Sequence, residues 1–184
     1  MLFRSEEQKK VTQSLLPLLK KSRPSNLLVY GKPGTGKTLV VKKVLGKIQE
    51  RVKDNSFPIH LLYANAKEET TLYGLLVKLG RQLGLTSQKE LPSTGLSISE
   101  VFNRIILAIE KDGLNTVFVV DEIDYLVELV SKSGKDVFYS LTRANERLKK
   151  GTLTLIGISN DLTDRKSTRL NSSHIQKSRM PSSA

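Results

Sequence analysis

The chain has 184 residues, 38% hydrophobic and 26% charged, enough for one domain with a real core, and its zero cysteines exclude disulfide staples, thiolate zinc sites and a cysteine nucleophile. Two histidines leave little for a histidine-built metal centre or a serine triad, and no run nears the roughly 18 apolar residues of a membrane span or the pattern of a signal peptide, so a cytoplasmic domain is expected. Thirty Lys and Arg against eighteen Asp and Glu give a net charge of +12, which invites a nucleic-acid partner.

In chain order, Ser5 to about Lys20 reads as a helix, with Ser5 and Gln8 spaced as a capping box and Val11, Leu15, Leu16, Leu18 and Leu19 on an apolar face. Pro17 should bend or shorten it. Asn26 to Tyr30 is a compact apolar strand ending at a glycine, and Lys37 to Lys53 follows with Leu39, Val40, Val41, Val44, Leu45, Ile48 and Val52 at helical spacing. A strand is expected at Ile59 to Tyr63, a helix at Thr70 to Leu83, and a polar connection from Thr86 to Leu96. Ser97 and Glu100 form a second capping box, before a helix carrying Val101, Ile105, Ile106, Leu107 and Ile109. Asn115 to Val120 reads as a buried strand of the parallel type that closes on Asp121 and Glu122. A helical stretch at Ser133 to Lys149 and an apolar strand at Thr152 to Ile158 complete the pattern. Strands alternating with amphipathic helices predict an α/β fold with a mainly parallel sheet flanked by helices, and there is no internal repeat.

Residues 164–184 break that pattern. They lack Val, Phe, Tyr and Trp, six of them are serine, and their apolar residues are too sparse to mark a helix or strand face. The expectation is a disordered tail that cannot continue the sheet. The string from Asp164 to His174 and the ending Ser178 to Ala184 are similar to the in-frame translation of a common sequencing adapter, with Ile175-Gln176-Lys177 where a sample index would fall. The expected division is therefore a partial nucleotide-binding domain at 1–163 and a non-native tail at 164–184, and the coding DNA across Thr163 and Asp164 tests it. The tail holds Arg165, Lys166, Arg169, Lys177 and Arg179 against Asp164, so it carries four of the twelve net positive charges and residues 1–163 carry eight.

The strongest motif is Gly31-Lys32-Pro33-Gly34-Thr35-Gly36-Lys37-Thr38, which matches G-x-x-x-x-G-K-[ST]. Its four fixed positions recur by accident in roughly 0.5% of chains this long, and the strand before it and helix after it lower that further. Glycines let the backbone approach phosphates with its N–H groups pointing inward at a helix N-terminus. Lys37 is placed to reach the β- and γ-phosphates, and the Thr38 hydroxyl to ligate Mg²⁺. At the end of the strand Val117-Phe118-Val119-Val120, Asp121 is a second Mg²⁺ ligand and Glu122 a base that polarises a water for in-line attack. The acid pair favours ATP hydrolysis, and no Asn-Lys-x-Asp tetrad for guanine is present. If the strand ending at Ile158 lies beside the one that feeds the loop, the Asn160 amide can hold the attacking water or touch the γ-phosphate.

Together these elements resemble an AAA+ P-loop ATPase of the ASCE type. The segments Asn26 to Tyr30, Asp121 to Leu126, Leu141-Thr142-Arg143-Ala144-Asn145 and Ile156 to Asp161 resemble the archaeal Orc/Cdc-type DNA replication initiators, as does Leu2 to Gln8. The resemblance covers residues 2–163 and implies that Lys37 and Thr38 are the Walker A lysine and metal ligand, Asp121 and Glu122 the Walker B pair, and Asn160 sensor 1. It adds Arg4 and Gln8 at the nucleotide edge, and it implies a sheet with the Asp121 and Asn160 strands beside the phosphate-loop strand. It further implies ATP or ADP with Mg²⁺ as cofactors, slow hydrolysis in an assembly with neighbouring subunits, recognition of duplex origin DNA, association with the nucleoid and recruitment of the replicative helicase. A clamp-loader or helicase-loader ATPase is the alternative. The family's arginine finger, fifth strand, helical lid and winged-helix domain are not expected in this chain, so weak nucleotide binding and little or no turnover are expected of it. The segment Gly84 to Leu96, where the family can carry a DNA-contacting insertion, has only Lys89 basic and reads as a plain surface loop. Lys42, Lys43, Lys47 and Arg51 read as the solvated face of the loop helix.

Overall fold

The fold is given by a computed structural model that describes residues 3–17, 22, 25–53, 59–126, 135–160 and 175–179. Two strands are buried along almost their whole length, as befits the middle of a sheet. Counting strands in chain order, β3 (Asn115–Asp121) is buried from its second residue onward and β4 (Thr152–Ser159) at every position. Such strands need helices on both faces. With β1 (Asn26–Tyr30), β2 (Ile59–Asn65) and β5 (Ile175–Arg179) they form one sheet in the order β2-β3-β4-β1-β5, parallel throughout.

The strand period of two sorts the side chains into two cores. On one face, Val117, Val119, Ile156, Ile158, Leu27 and Val29 pack against α1 (Phe3–Leu15) and α2 (Lys37–Lys53). On the other, Phe118, Val120, Leu153 and Leu155 pack against α3 (Leu72–Gln82) and α4 (Ile98–Asp112). Phe118 has no exposure at all, so truncating it to alanine costs about 3–5 kcal/mol. Among the described residues no helix is long and apolar enough to cross a membrane.

Helix ends follow their local chemistry. Thr71 caps α3 by accepting from the Gly74 N–H, and Ser97 caps α4 by accepting from the Glu100 N–H. The Glu100 carboxylate is taken by Arg104 Nε at 2.8 Å, one turn on. Gly113 ends α4 in the left-handed region at φ 62°. Leu107, expected on the apolar face, is 67% exposed.

Several expectations are corrected. The first helix starts at Phe3, ahead of the capping box placed at Ser5, and stops at Leu15, because a proline at 17 disfavours helix in the residue before it; Leu18 and Leu19 lie outside the described residues. The single helix expected at Ser133 to Lys149 is two, α5 (Lys135–Thr142) and α6 (Ala144–Arg147), with 133–134 outside the described residues. The break at Arg143 lets Asn145 pair with β4: its Nδ2 donates to Leu153 O and its Oδ1 accepts from Leu153 N. The segment at 84–96 is pinned down, since Leu91 is fully buried beneath Gly80 and Ile105, Tyr73 donates to Pro92 O, and Arg104 donates to the carbonyls of Lys89 and Glu90.

The sheet order differs from expectation at one strand. The Asn160 strand, β4, lies beside β1 as expected, but the Asp121 strand, β3, is two places from it. β4 and β5 occupy the two sides of β1, which leaves no edge there for β3. Contrary to the expectation that nothing after 163 joins the sheet, Ile175–Arg179 pairs in parallel with β1 from Asn26 to Tyr30. The open edge of β1 offers a row of N–H and C=O groups, and pairing there needs an extended backbone rather than a particular composition. At the opposite edge, β2 is covered by one side chain of α3: Gln82 Oε1 accepts from Tyr63 N at 2.9 Å and Gln82 Nε2 donates to Tyr63 O at 2.8 Å.

Candidate active site

Parallel strands bring their carboxyl ends to one side of the sheet, and the loop from Gly31 to Gly36 opens there between β1 and α2. Gly34 and Gly36 both have φ 79°, a conformation that suits glycine, and they turn the chain into the helix. Thr35 Oγ1 donates to Lys32 O at 2.9 Å and Val40 N to Gly36 O at 2.9 Å, which closes the loop and starts α2. The first turn of α2 has no acidic residue, so its N-terminal partial charge is free to act on an anion.

Lys37 is 4% exposed, and its ammonium donates to Gly31 O at 3.0 Å and Lys32 O at 2.9 Å. Burial lowers its pKa, while Asp121 and then Asp124 act in the opposite direction. The lysine is thus folded over the mouth of its own loop by two carbonyls. Its opening partner has to be a stronger acceptor than a carbonyl, and a phosphate is one.

Asp121, 6% exposed at the end of β3, is the hub of the site. Its Oδ2 accepts from the Thr38 hydroxyl at 2.8 Å and from the Tyr63 hydroxyl at 2.8 Å, and its Oδ1 accepts from Glu122 N at 2.9 Å. Residues 83 positions apart in the chain therefore meet at hydrogen-bonding distance. Burial and, next, the bond to Asp121 push the Tyr63 phenol well above its ordinary range, so it stays a donor. The Lys42 ammonium lies 4.2 Å from the centroid of the Tyr63 ring. Nothing in the sequence motifs pointed to Tyr63.

Glu122 has φ 50°, in the left-handed region that a non-glycine residue holds only where its surroundings over-determine it. Its Oε1 accepts from Asn160 Nδ2 at 3.3 Å. Asn160 follows β4, and β4 does lie beside β1, with Val29 opposite Ile158 and Tyr30 opposite Ser159. Thr38, Asp121, Glu122 and Asn160 are thus brought together with Lys37. Gln8 is half-buried in α1, where its carbonyl accepts from Thr12 Oγ1 at 2.6 Å, and no described contact links it to the loop. The side chain of Arg4 lies outside the described residues. Lys42, Lys43, Lys47 and Arg51 are all exposed, as expected of a solvated helix face.

Hard oxygen donors on Thr38 and Asp121, held 2.8 Å apart, suit Mg²⁺, which takes one or two protein ligands and completes its shell with phosphate and water. Among the described residues there is no group of three or more His, Cys, Asp or Glu that could hold a metal ion. The donor set fits a cation that arrives with a nucleotide.

A strand, a phosphate loop and a helix, with a carboxylate delivered from two strands away, define a P-loop nucleoside triphosphatase fold. The family described as AAA domain matches residues 20–165, and the chain belongs to that family, as an AAA+ module of the archaeal Orc/Cdc initiator type. It is 71% identical over 159 residues to an ORC1-type DNA replication protein of Cenarchaeum symbiosum (strain A), an alignment that covers 86% of this chain and 38% of that protein. It is 38% identical over 159 residues to the ORC1-type DNA replication protein of Pyrococcus abyssi, covering 86% of this chain and 37% of the relative. Among solved structures, that of the Aeropyrum pernix ORC1 protein in complex with DNA matches with a TM-score of 0.85 and 30% identity over 98% of this chain and 46% of that one. The Aeropyrum pernix ORC2 protein, solved as ADPNP and ADP complexes, shares the fold with a TM-score of 0.79 at 19% identity, covering 99% of this chain and 48% of that one. The chain spans under two fifths of the length of these curated relatives.

Proposed function

We propose that this chain is the ATP-binding, slowly hydrolysing module of a DNA replication initiator. The observation that carries the reading is the meeting of the Thr38 hydroxyl with the Asp121 carboxylate at 2.8 Å, at the mouth of a glycine loop that holds a buried lysine. In this reading Gly31, Lys32, Pro33, Gly34, Thr35 and Gly36 cradle the phosphates with their backbone N–H groups, and Lys37 leaves its two carbonyls for the β- and γ-phosphates. Thr38 and Asp121 hold Mg²⁺, which neutralises charge on the phosphates. Glu122 accepts the proton of the attacking water, and Asn160, bonded to Glu122, orients that water.

The whole protein's roles follow from its relatives. An initiator of this kind recognises duplex origin DNA through parts beyond this module and helps to load the replicative helicase beside neighbouring initiator subunits, in the cytoplasm at the nucleoid. A DNA complex of the Aeropyrum pernix relative supports the DNA partner. Bound nucleotide sets the shape in which such a protein grips DNA, with turnover as the reset. Two variants test the nucleotide reading by titration with a fluorescent ATP analogue and by phosphate release. In the full-length parent, Lys37→Ala abolishes binding and turnover, whereas Glu122→Gln keeps binding and stops turnover. Hydrolysis that survives Glu122→Gln unchanged would remove Glu122 from the role of base.

A further inference from the structure

Asp124 has no role in the site as proposed above, yet it joins two strands at the point where that site is assembled. It sits in the helical turn at 123–126, half-buried, three residues beyond Asp121. Its Oδ1 accepts from the Ser159 hydroxyl at 2.5 Å and its Oδ2 from the Asn160 N–H at 2.8 Å. Both donors lie at the end of β4, whereas Asp124 follows β3. One such bond fixes a distance; two, from successive residues to the two oxygens of one carboxylate, also fix an orientation. The close approach is prepared by Gly157, where an added Cβ would come within 2.7 Å of Ile123 Cδ1 and 3.1 Å of Leu28 Cδ1. With the Asn160 backbone held in this way, its side chain reaches Glu122 Oε1.

We propose that Asp124 is a positioning residue that clamps the end of β4 to the turn after β3 and so sets the contact between Asn160 and Glu122. The clamp stands on geometry alone; its consequence for hydrolysis rests on the roles proposed above for Glu122 and Asn160. Turnover then depends on a residue that touches neither nucleotide nor metal, because the base and the water-orienting amide are aligned through it.

The test uses the ¹⁵N-labelled chain and reads hydrogen exchange at the Asn160 backbone amide, the Asn160 side-chain amide resonances, and ADP affinity. In Asp124→Ala the Asn160 amide exchanges at least about tenfold faster, the loss expected for a charge-assisted bond, and its side-chain resonances move to free-amide positions. ADP affinity is read in Ser159→Ala, which keeps both the loop and the Asp124 charge that acts on Lys37, and it stays within about twofold. Asp124→Asn rescues the protection, since its oxygen accepts from Asn160 N–H while its amino group donates to Ser159 Oγ. Ser159→Ala removes one bond and gives a smaller acceleration, which keeps the test open should Asp124→Ala fail to fold. In the full-length parent under single-turnover conditions, Asp124→Ala and Asn160→Ala lower the rate non-additively. Wild-type protection of Asn160 in Asp124→Ala overturns the clamp, as does a parallel loss of protection and ADP affinity in Ser159→Ala. A chain that fails to bind nucleotide refutes the proposed function and leaves the exchange result to stand by itself.

Discussion

Replacing Tyr63 by phenylalanine removes one oxygen and nothing else: the ring stays beneath Lys42, and the backbone bonds to Gln82 are kept. The lost bond ends on the carboxylate of Asp121, which is 6% exposed and therefore poorly served by water. A hydrogen bond to a charged group is worth about 1.5–3 kcal/mol. Asp121 Oδ2 retains Thr38, so the lower figure applies; at about 2–4 °C per kcal/mol for a chain of this size, the melting temperature falls by about 3–6 °C. On the proposed role of Asp121 as a Mg²⁺ ligand, its hydrogen-bond partner is also worth about 10–100-fold in metal affinity, so Mg²⁺ titrated in the presence of ADP is expected to bind more weakly by that factor. The phenol's raised pKa fixes the sign with pH. Its contribution is full below the ordinary value of 10.0 and is lost as pH rises through the higher folded value, so wild type and variant converge in strong alkali. Thermal denaturation and calorimetric Mg²⁺ titration read the two effects separately. A melting temperature within about 1 °C of wild type, with unchanged Mg²⁺ affinity, would refute the reasoning.

Two further outcomes concern the sheet. Thr116 and Thr154, on β3 and β4, each bury a hydroxyl that has no hydrogen-bond partner among the described residues; Thr116→Val and Thr154→Val each raise stability by about 1 kcal/mol in urea denaturation, and a loss of that size would show that the hydroxyls are satisfied. Gly151→Ala places a Cβ 2.8 Å from Ile109 O and 2.9 Å from Leu114 O, backbone atoms that cannot swing aside, so it lowers stability by about 1–3 kcal/mol in the same assay. A neutral Gly151→Ala would mean that the entry to β4 yields.

The parts of the site carried by contiguous residues were legible. Gly31 to Thr38 announces its own geometry, because two positive-φ glycines, a lysine and a threonine within eight positions define a cradle before any tertiary contact exists. Asp121 and Glu122 were legible for a similar reason, at the end of an apolar run. Tyr63 was not: it is one aromatic within a β-rich strand, and its meeting with Asp121 spans 58 residues. The signal available was alignment of strand ends, since Asn65 pairs with Asp121 and an aromatic two residues earlier has the reach to arrive at the same carboxylate. Sheet order was hidden because apolar periodicity tells a strand which face is buried without naming its neighbours. Asn145 and Gln82 escaped notice since a polar residue on a helix reads as solvent-facing, whereas here each carboxamide lies along a strand and pairs with both its N–H and its C=O. The pairing of residues 175–179 with β1 lay outside any compositional argument, because a sheet edge selects for extension of the main chain.

The carboxamide of Gln82 bears on solubility as well as on chemistry. By occupying both hydrogen-bonding groups of Tyr63, it removes the docking point at which a strand from another molecule would add to β2 and begin a polymer. The same backbone unit carries the phenol that reaches Asp121. An intruding strand at this border would have to evict Gln82 from the backbone of the residue whose phenol bonds Asp121, so self-association there is expected to disturb the proposed site as well.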